Sequence, residues 1–158
     1  MIVIEKMRSD EFSVYLRKLV ENYAVENVKS GRWEEKSALE KSKREVDSLL
    51  TDGLNTENHE LLNLKEKDTG KKIGCVWLHI FPGMEKKGFI YDFVIDEAFR
   101  GKSYGKESLK ALEEYASKLG VEDLSLHVFA HNTVAVALYR KMGYEVTSLN
   151  MAKHIGGK

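Results

Sequence analysis

Arg100, Gly101, Lys102, Ser103, Tyr104, Gly105 and Lys106 (RGKSYGK) carry three cations and two glycines. They stand between an apolar, strand-like run and an amphipathic helical pattern. The first turn of a helix has backbone N–H groups without intrahelical partners and a partial positive charge. Glycines let such a backbone approach an anion closely, and basic side chains add to the attraction. These seven residues therefore read as a phosphate cradle. Gly101-Lys102-Ser103 has the ending of a P-loop, but that motif needs a glycine five residues before Gly101, where Asp96 stands. A GxGxxG dinucleotide fingerprint is absent too. Alone, the segment is a phosphate-friendly helix start.

A second pair lies downstream. Asn132 and Tyr139 are seven residues apart in NTVAVALYRKMGYE. Seven residues turn a helix through about 700°, close to two full turns, so both fall on one face. Ala135 and Ala137 keep that helix slim enough for a ligand or sheet to come near.

Positioning these groups requires a scaffold. Residues 3–6 read as a first strand. Ser9 is a candidate N-cap, and Phe12, Leu16, Leu19, Val20 and Tyr23 follow at helical spacing up to Gly31. A second helix is expected over 33–50, with Leu39, Val46, Leu49 and Leu50 inward. Strands at 60–67 and 73–81 flank the turn Asp68-Thr69-Gly70 and should form a hairpin. A strand at 89–95 leads through the basic loop into a helix carrying Leu109, Leu112, Ala116 and Leu119, closed by Gly120. A strand at 124–130, a helix at 132–142 capped by Asn132, and a last strand at 144–154 complete the chain. The order β-α-α-β-β-β-α-β-α-β implies an α/β fold: a mixed sheet with helices on its faces and one right-handed β-α-β crossover. A single domain over 1–158 is expected.

From residue 89 to residue 145 the pattern resembles the GNAT superfamily of N-acetyltransferases. RGKSYGK follows a strand, and N-x-x-A-x-x-L-Y-x-x-x-G-Y follows about thirty residues later. The family's pyrophosphate motif is Arg or Gln, two residues, Gly, one residue, then Gly or Ala. Here these positions are Arg100, Ser103 and Gly105, with Ser103 in place of the first glycine. The resemblance implies that acetyl-CoA is the co-substrate. The backbone of Phe93, Val94 and Ile95 would pair with its pantetheine arm, Gly101 to Lys106 would bind its pyrophosphate, Asn132 its arm, and Tyr139 would sit near the sulfur. Tyr139 is then the candidate acid, donating a hydrogen bond to the developing thiolate. Two residues compete as base, His127 on the strand before Asn132 and Asp92 on the strand before the cradle. By simple alternation Asp92 shares a face with Ile90 and Val94.

The implied activity is transfer of an acetyl group to a primary amine of a small molecule, protein or peptide. A non-catalytic acyl-CoA-binding or sensor module is the alternative. In a third reading the coenzyme site is vestigial, and the end of the last strand pairs across a two-fold axis in a homodimer. Acceptor choice is expected to lie with residues 10–50, including Trp33, Glu34 and Glu35, and with the loop 81–88.

Composition narrows the field. Of 158 residues, 25 are Lys or Arg and 25 are Asp or Glu, so the net charge is zero. This argues against a general attraction to nucleic acid or an anionic membrane. No apolar run approaches the roughly 20 residues that span a bilayer. The start MIVIEKMRSDEF has early charges and no signal-like core, so cytoplasmic residence is expected. The lone Cys75, in an apolar run, reads as a buried small hydrophobe. No metal-ligand spacing is present, and none of His59, His79, His131 or His154 has a context that suggests chemistry.

Overall fold

The computed structural model describes residues 1–83 and 86–157. In order these form β1 (Ile2–Lys6), α1 (Ser9–Lys29), α2 (Glu35–Leu49), β2 (His59–Glu66), β3 (Lys72–Ile80), β4 (Lys87–Ile95), α3 (Tyr104–Lys118), β5 (Asp123–Leu126) and α4 (Thr133–Lys141). The strands cross one sheet in chain order, β1-β2-β3-β4-β5. Pairing is antiparallel from β1 to β4 and parallel between β4 and β5. This is the expected mixed α/β sheet.

The β2–β3 hairpin closes as the turn residues dictate. Gly70 takes a left-handed φ of 71°, and its N–H donates to the Glu66 carbonyl at 2.8 Å. Leu62, Leu64, Ile73, Val76, Leu78 and Ile90 fill one face of the sheet against Leu109, Leu112 and Ala116 of α3. The other face sets Leu61, Cys75 and Trp77 against Phe12 and Tyr15 of α1 and Val46 of α2. Each large apolar side chain buried in this way contributes about 1.5–3 kcal/mol.

Three local expectations give way to other physics. Arg8, not Ser9, stands at the α1 N-cap, and its N–H donates to the Glu11 carboxylate at 2.9 Å. Leu39 is 57% exposed; α2 instead buries Ala38, Ser42 and Val46. These residues, two of them small, sit four apart and let α2 approach α1 until the Ser42 hydroxyl reaches the Val20 carbonyl at 2.7 Å. The strand expected at 144–154 is absent among the described residues. Tyr144 is tied down, its hydroxyl donating to Glu113 at 2.8 Å. Beyond it, residues 145–153 make no hydrogen bond to other described residues. A strand exists only as part of a ladder, and among the described residues this segment pairs with no strand, the open outer edge of β5 included.

The feature that matters most for chemistry is a bulge in β4. Trp77 lies opposite Asp92, but Leu78 lies opposite Ile90, so Tyr91 is an extra residue. Such an insertion breaks alternation and re-aims side chains. Ile90 and Phe93 both pack on the α3 side, whereas Tyr91 packs on the α1–α2 side and Asp92 bonds to α1. Asp92 therefore does not share a face with Ile90, as simple alternation had it.

Candidate active site

Strand β5 pairs with β4 only from Lys87 to Ile90, and it ends at Leu126. Beyond that point β4 continues to Ile95 with β3 on one side and, among the described residues, no strand on the other. Apart from the Ile95 carbonyl, which accepts from the Arg100 side chain, its backbone groups facing the gap are therefore available to an incoming extended chain. The gap widens into a cleft of about 660 Å³, roofed by α1 and α2 and flanked by residues 126–129 and the first half of α4. A cleft of this size is of the order that holds a small ligand.

Asp92, Phe93, Val94, His127, Asn132 and Tyr139 all line this cleft, so the structure brings both base candidates together with Asn132 and Tyr139. Ile95 and residues 100–106 lie outside its walls. The cradle nevertheless adjoins it, because α3 packs its first turn against α4. A Cβ on Gly105 would come within 3.2 Å of Leu138 Cδ2, so the Leu138 side chain would have to give by a few tenths of an ångström to admit one.

Asp92 and Tyr139 have the most distinctive surroundings. Enclosure at the cleft floor disfavours the Asp92 carboxylate and raises its pKa to about 6. A hydrogen bond from the Tyr15 hydroxyl, at 2.7 Å, and one from the Phe93 N–H oppose that rise. Burial, and then the negative field of Asp92, push Tyr139 up to about 12. Its ring is held edge-on by Phe93 at 6.4 Å and Tyr144 at 5.8 Å between centroids. The cleft therefore holds a carboxyl group whose pKa is raised to about 6 and a phenol that keeps its proton.

The other predicted residues take supporting positions. His127 is exposed at the lip, one residue past β5, edge-on to Phe129 at 4.9 Å. Asn132 is at the N-cap of α4 but makes no side-chain capping bond, so its amide is free to meet a ligand. His131, a loop residue as expected, pairs with Glu26 of α1. His79 is structural, stacked on His59 at 4.2 Å and bonded to the Asn58 carbonyl. Cys75 is buried, and desolvation raises its thiol to about 11, which is no state for a nucleophile.

In the basic loop, the Arg100 side chain donates to the Ile95 carbonyl at 2.8 Å and ties the turn to the end of β4. Arg100, Lys102 and Lys106 are exposed around it. Gly101 has φ 76° with open space where a Cβ would be. Ser103, at the α3 N-cap, has φ 68° and ψ 3°, the left-handed conformation that glycine adopts without cost. The replacement of glycine at this point therefore keeps the backbone path and accepts strain of about 1–2 kcal/mol. Ser103→Gly should be neutral to about 1 kcal/mol stabilising, since the relief is offset by a freer unfolded chain. Ser103→Val should cost at least about 1–2 kcal/mol, because β-branched residues tolerate this region worst. Thermal denaturation of the two variants checks both.

Sequence reasoning missed Tyr15, although it lies three residues after Phe12 and four before Leu19 on the same helical stripe. It also missed the charge of the roof. Asp10, Glu11, Glu26 and Glu45 line the cleft, and Trp33, Glu34 and Glu35 do not. Glu45 is held by Tyr23 and Arg32, each at 2.8 Å, which fixes α2 to the C-terminal end of α1. Within the loop 81–88, Met84 and Glu85 lie outside the described residues, and the rest are not part of the walls.

Comparison with known proteins supplies the frame for this geometry. The model of the acetyltransferase (GNAT) family matches residues 22–144. The chain is 42% identical over 153 residues to the uncharacterized N-acetyltransferase YdgE of Bacillus subtilis, covering 96% of this chain and 97% of that one. It is 41% identical over 157 residues to the uncharacterized N-acetyltransferase YycN of the same organism, covering 98% and 99%. The crystal structure of YycN matches the fold with a TM-score of 0.96 at 39% identity, over 99% of this chain and 100% of that one. A family match across most of the chain, with two relatives alike over nearly their whole lengths, makes this protein a member of the GNAT acetyltransferase family.

Proposed function

We propose that this acetyltransferase moves an acetyl group from acetyl-CoA to a primary amine, with Asp92 as proton acceptor and Tyr139 as hydrogen-bond donor to the departing sulfur. The observation that carries this reading is the presence of both side chains in the walls of the cleft where β4 and β5 part. The coenzyme fits the surrounding residues. Gly101, and Ser103 in a glycine-like conformation, give an anion access to the backbone N–H groups at the start of α3. The unpaired side of β4 at Phe93, Val94 and Ile95 suits an amide-bearing arm, and the free Asn132 amide can meet it. The Tyr104 hydroxyl donates to the Glu66 carboxylate and anchors the first turn of α3 to β2.

Acetyl-CoA supplies the activated acyl group, and the chain handles protons. A lysine-like amine with a pKa near 10.4 must lose a proton before attack, which costs roughly 4–5 kcal/mol at pH 7. Asp92, with a pKa raised to about 6, is ionised at that pH and basic enough to accept the proton. Tyr139 stays protonated and can donate to a thiolate.

The acceptor belongs to the cationic amines. Six carboxylates line the cleft (Asp10, Glu11, Glu26, Glu45, Asp92 and Asp96) against Lys18 and Lys72. The excess of acid persists after Arg8 and Arg32, which neutralise part of it from outside, are counted. A thiol-release assay with acetyl-CoA across cationic, neutral and acidic primary amines tests this. Turnover should be greatest with amines bearing a second positive charge, and kcat/KM for these should fall with added salt. Acetyl-CoA binding without turnover on any amine would favour the sensor-module reading instead. Failure to bind acetyl-CoA would overturn both.

A further inference from the structure

Residues 127–131 form the loop that leads from β5 to Asn132 at the start of α4. The backbone of Asn132 is committed on both sides. Its N–H donates to the Phe129 carbonyl at 2.9 Å, and its own carbonyl accepts from the Val136 N–H at 3.0 Å. Its side-chain amide makes no capping bond and stands in the cleft wall. The turn from 129 to 132 therefore moves as a unit, and where the amide points depends on what holds the loop.

That hold comes from the roof of the cleft. His131 Nε2 meets the Glu26 carboxylate of α1, and an ionised carboxylate only accepts, so the imidazole donates. Among the described residues this is the side-chain hydrogen bond that ties residues 127–131 to another element. The pair is half-buried, with side chains 32% and 27% exposed. A charge-assisted bond counts for more there than at full exposure. Tyr23 lies three residues before Glu26, on the same face of α1, and its ring centroid is 6.5 Å from that of Phe129. Phe129 in turn stacks with His131 at 5.5 Å. Glu45 of α2 braces Tyr23, accepting from its hydroxyl at 2.8 Å. One face of α1 thus clasps the end of the loop, and Asn132 is the next residue.

We propose that the Glu26–His131 bond is a positioning contact for the coenzyme: it fixes the loop so that the Asn132 amide is already directed at the arm of acetyl-CoA. The inference rests on the reading of Asn132 as an arm-binding residue. An amide on an unpinned loop has to be ordered when the ligand binds, and that ordering lowers affinity. Glu26 then serves the coenzyme through His131 and Asn132.

Calorimetric titration of the full chain with coenzyme A, with no amine present, tests this. Glu26→Ala should weaken binding about 3–10-fold, the cost of ordering the loop on binding. His131→Ala should do the same, and it reads the same bond from the loop should Glu26→Ala not fold. Glu26→Gln keeps an oxygen that accepts from the imidazole, so affinity should return to within about twofold of native. In an Asn132→Ala background, Glu26→Ala should cost less than about twofold, because both changes remove one contact. Tm reports folding separately: a merely structural bond would lower Tm and leave affinity at its native value. Native affinity in both alanine variants would overturn the proposal. So would a loss that adds in full to that of Asn132→Ala. A native chain that does not bind coenzyme A would overturn the coenzyme reading and the proposal with it, a result distinct from either of these.

Discussion

Asp92→Asn should lower kcat for acetyl transfer by about 10²–10⁴-fold, the range for loss of a positioned general base. KM for acetyl-CoA should change little, because the anion-binding loop is built from other residues. The native enzyme should show an acid limb in kcat/KM near pH 6, where Asp92 takes up its proton and ceases to accept another. Tyr15→Phe should move that limb to higher pH, since the Tyr15 hydroxyl bonds to the carboxylate and holds its pKa down against burial. His127→Ala should leave the limb in place, because His127 lies at the lip and not on the floor. If instead His127→Ala removed the limb and Asp92→Asn kept native kcat, the assignment of the base would be reversed.

The same substitution has an opposite effect on stability. Burial raises the folded pKa of Asp92 from an ordinary 3.8 to about 6. Its stabilising contribution is therefore complete below the unfolded value and is lost as pH rises through about 6. The loss amounts to at most about 3 kcal/mol above that pH, at 1.36 kcal/mol per unit. An asparagine at this position has no proton to lose and can still accept from Tyr15. Asp92→Asn should thus raise Tm at pH 7–8 while lowering turnover, and should have little effect on Tm near pH 4. A general structural lesion would lower both quantities, so the opposed signs separate a loss of chemistry from a loss of folding.

What could be read from the sequence was what depends on short-range pattern. The Asp68-Thr69-Gly70 turn, the helix start after Arg100, the common face of Asn132 and Tyr139, and the burial of Cys75 all follow from neighbours within a few residues. What failed depends on contacts made at a distance. The extra residue in β4 is visible only against β3, and it decides which face Asp92 occupies. Tyr15 meets Asp92 across 77 positions. In α2 Leu39 is the larger apolar residue, but the contact with α1 needs small ones, at positions 38 and 42. The segment 144–154, expected as a last strand, pairs with no strand among the described residues, and whether a strand forms depends on a partner that local pattern cannot supply.

Tyr139→Phe should lower kcat by about 10²–10³-fold, the usual effect of removing one hydrogen-bond donor from a developing anion. The ring would remain packed between Phe93 and Tyr144, so folding and acetyl-CoA binding should persist. The hydroxyl acts on a leaving thiol whose pKa is near 8.5, and its benefit grows with the charge the sulfur acquires. Replacing the thiol ester by one with a more acidic leaving thiol should therefore shrink the difference between native and variant enzymes. A role in packing alone would leave that ratio constant across leaving groups. With a pKa near 12, Tyr139 itself sets no alkaline limb below that pH. Any fall in kcat between pH 8 and 10 would then have to come from another group or from the acceptor. A variant with native kcat would remove Tyr139 from the chemistry and leave Asp92 as the sole proton-handling residue of the proposal.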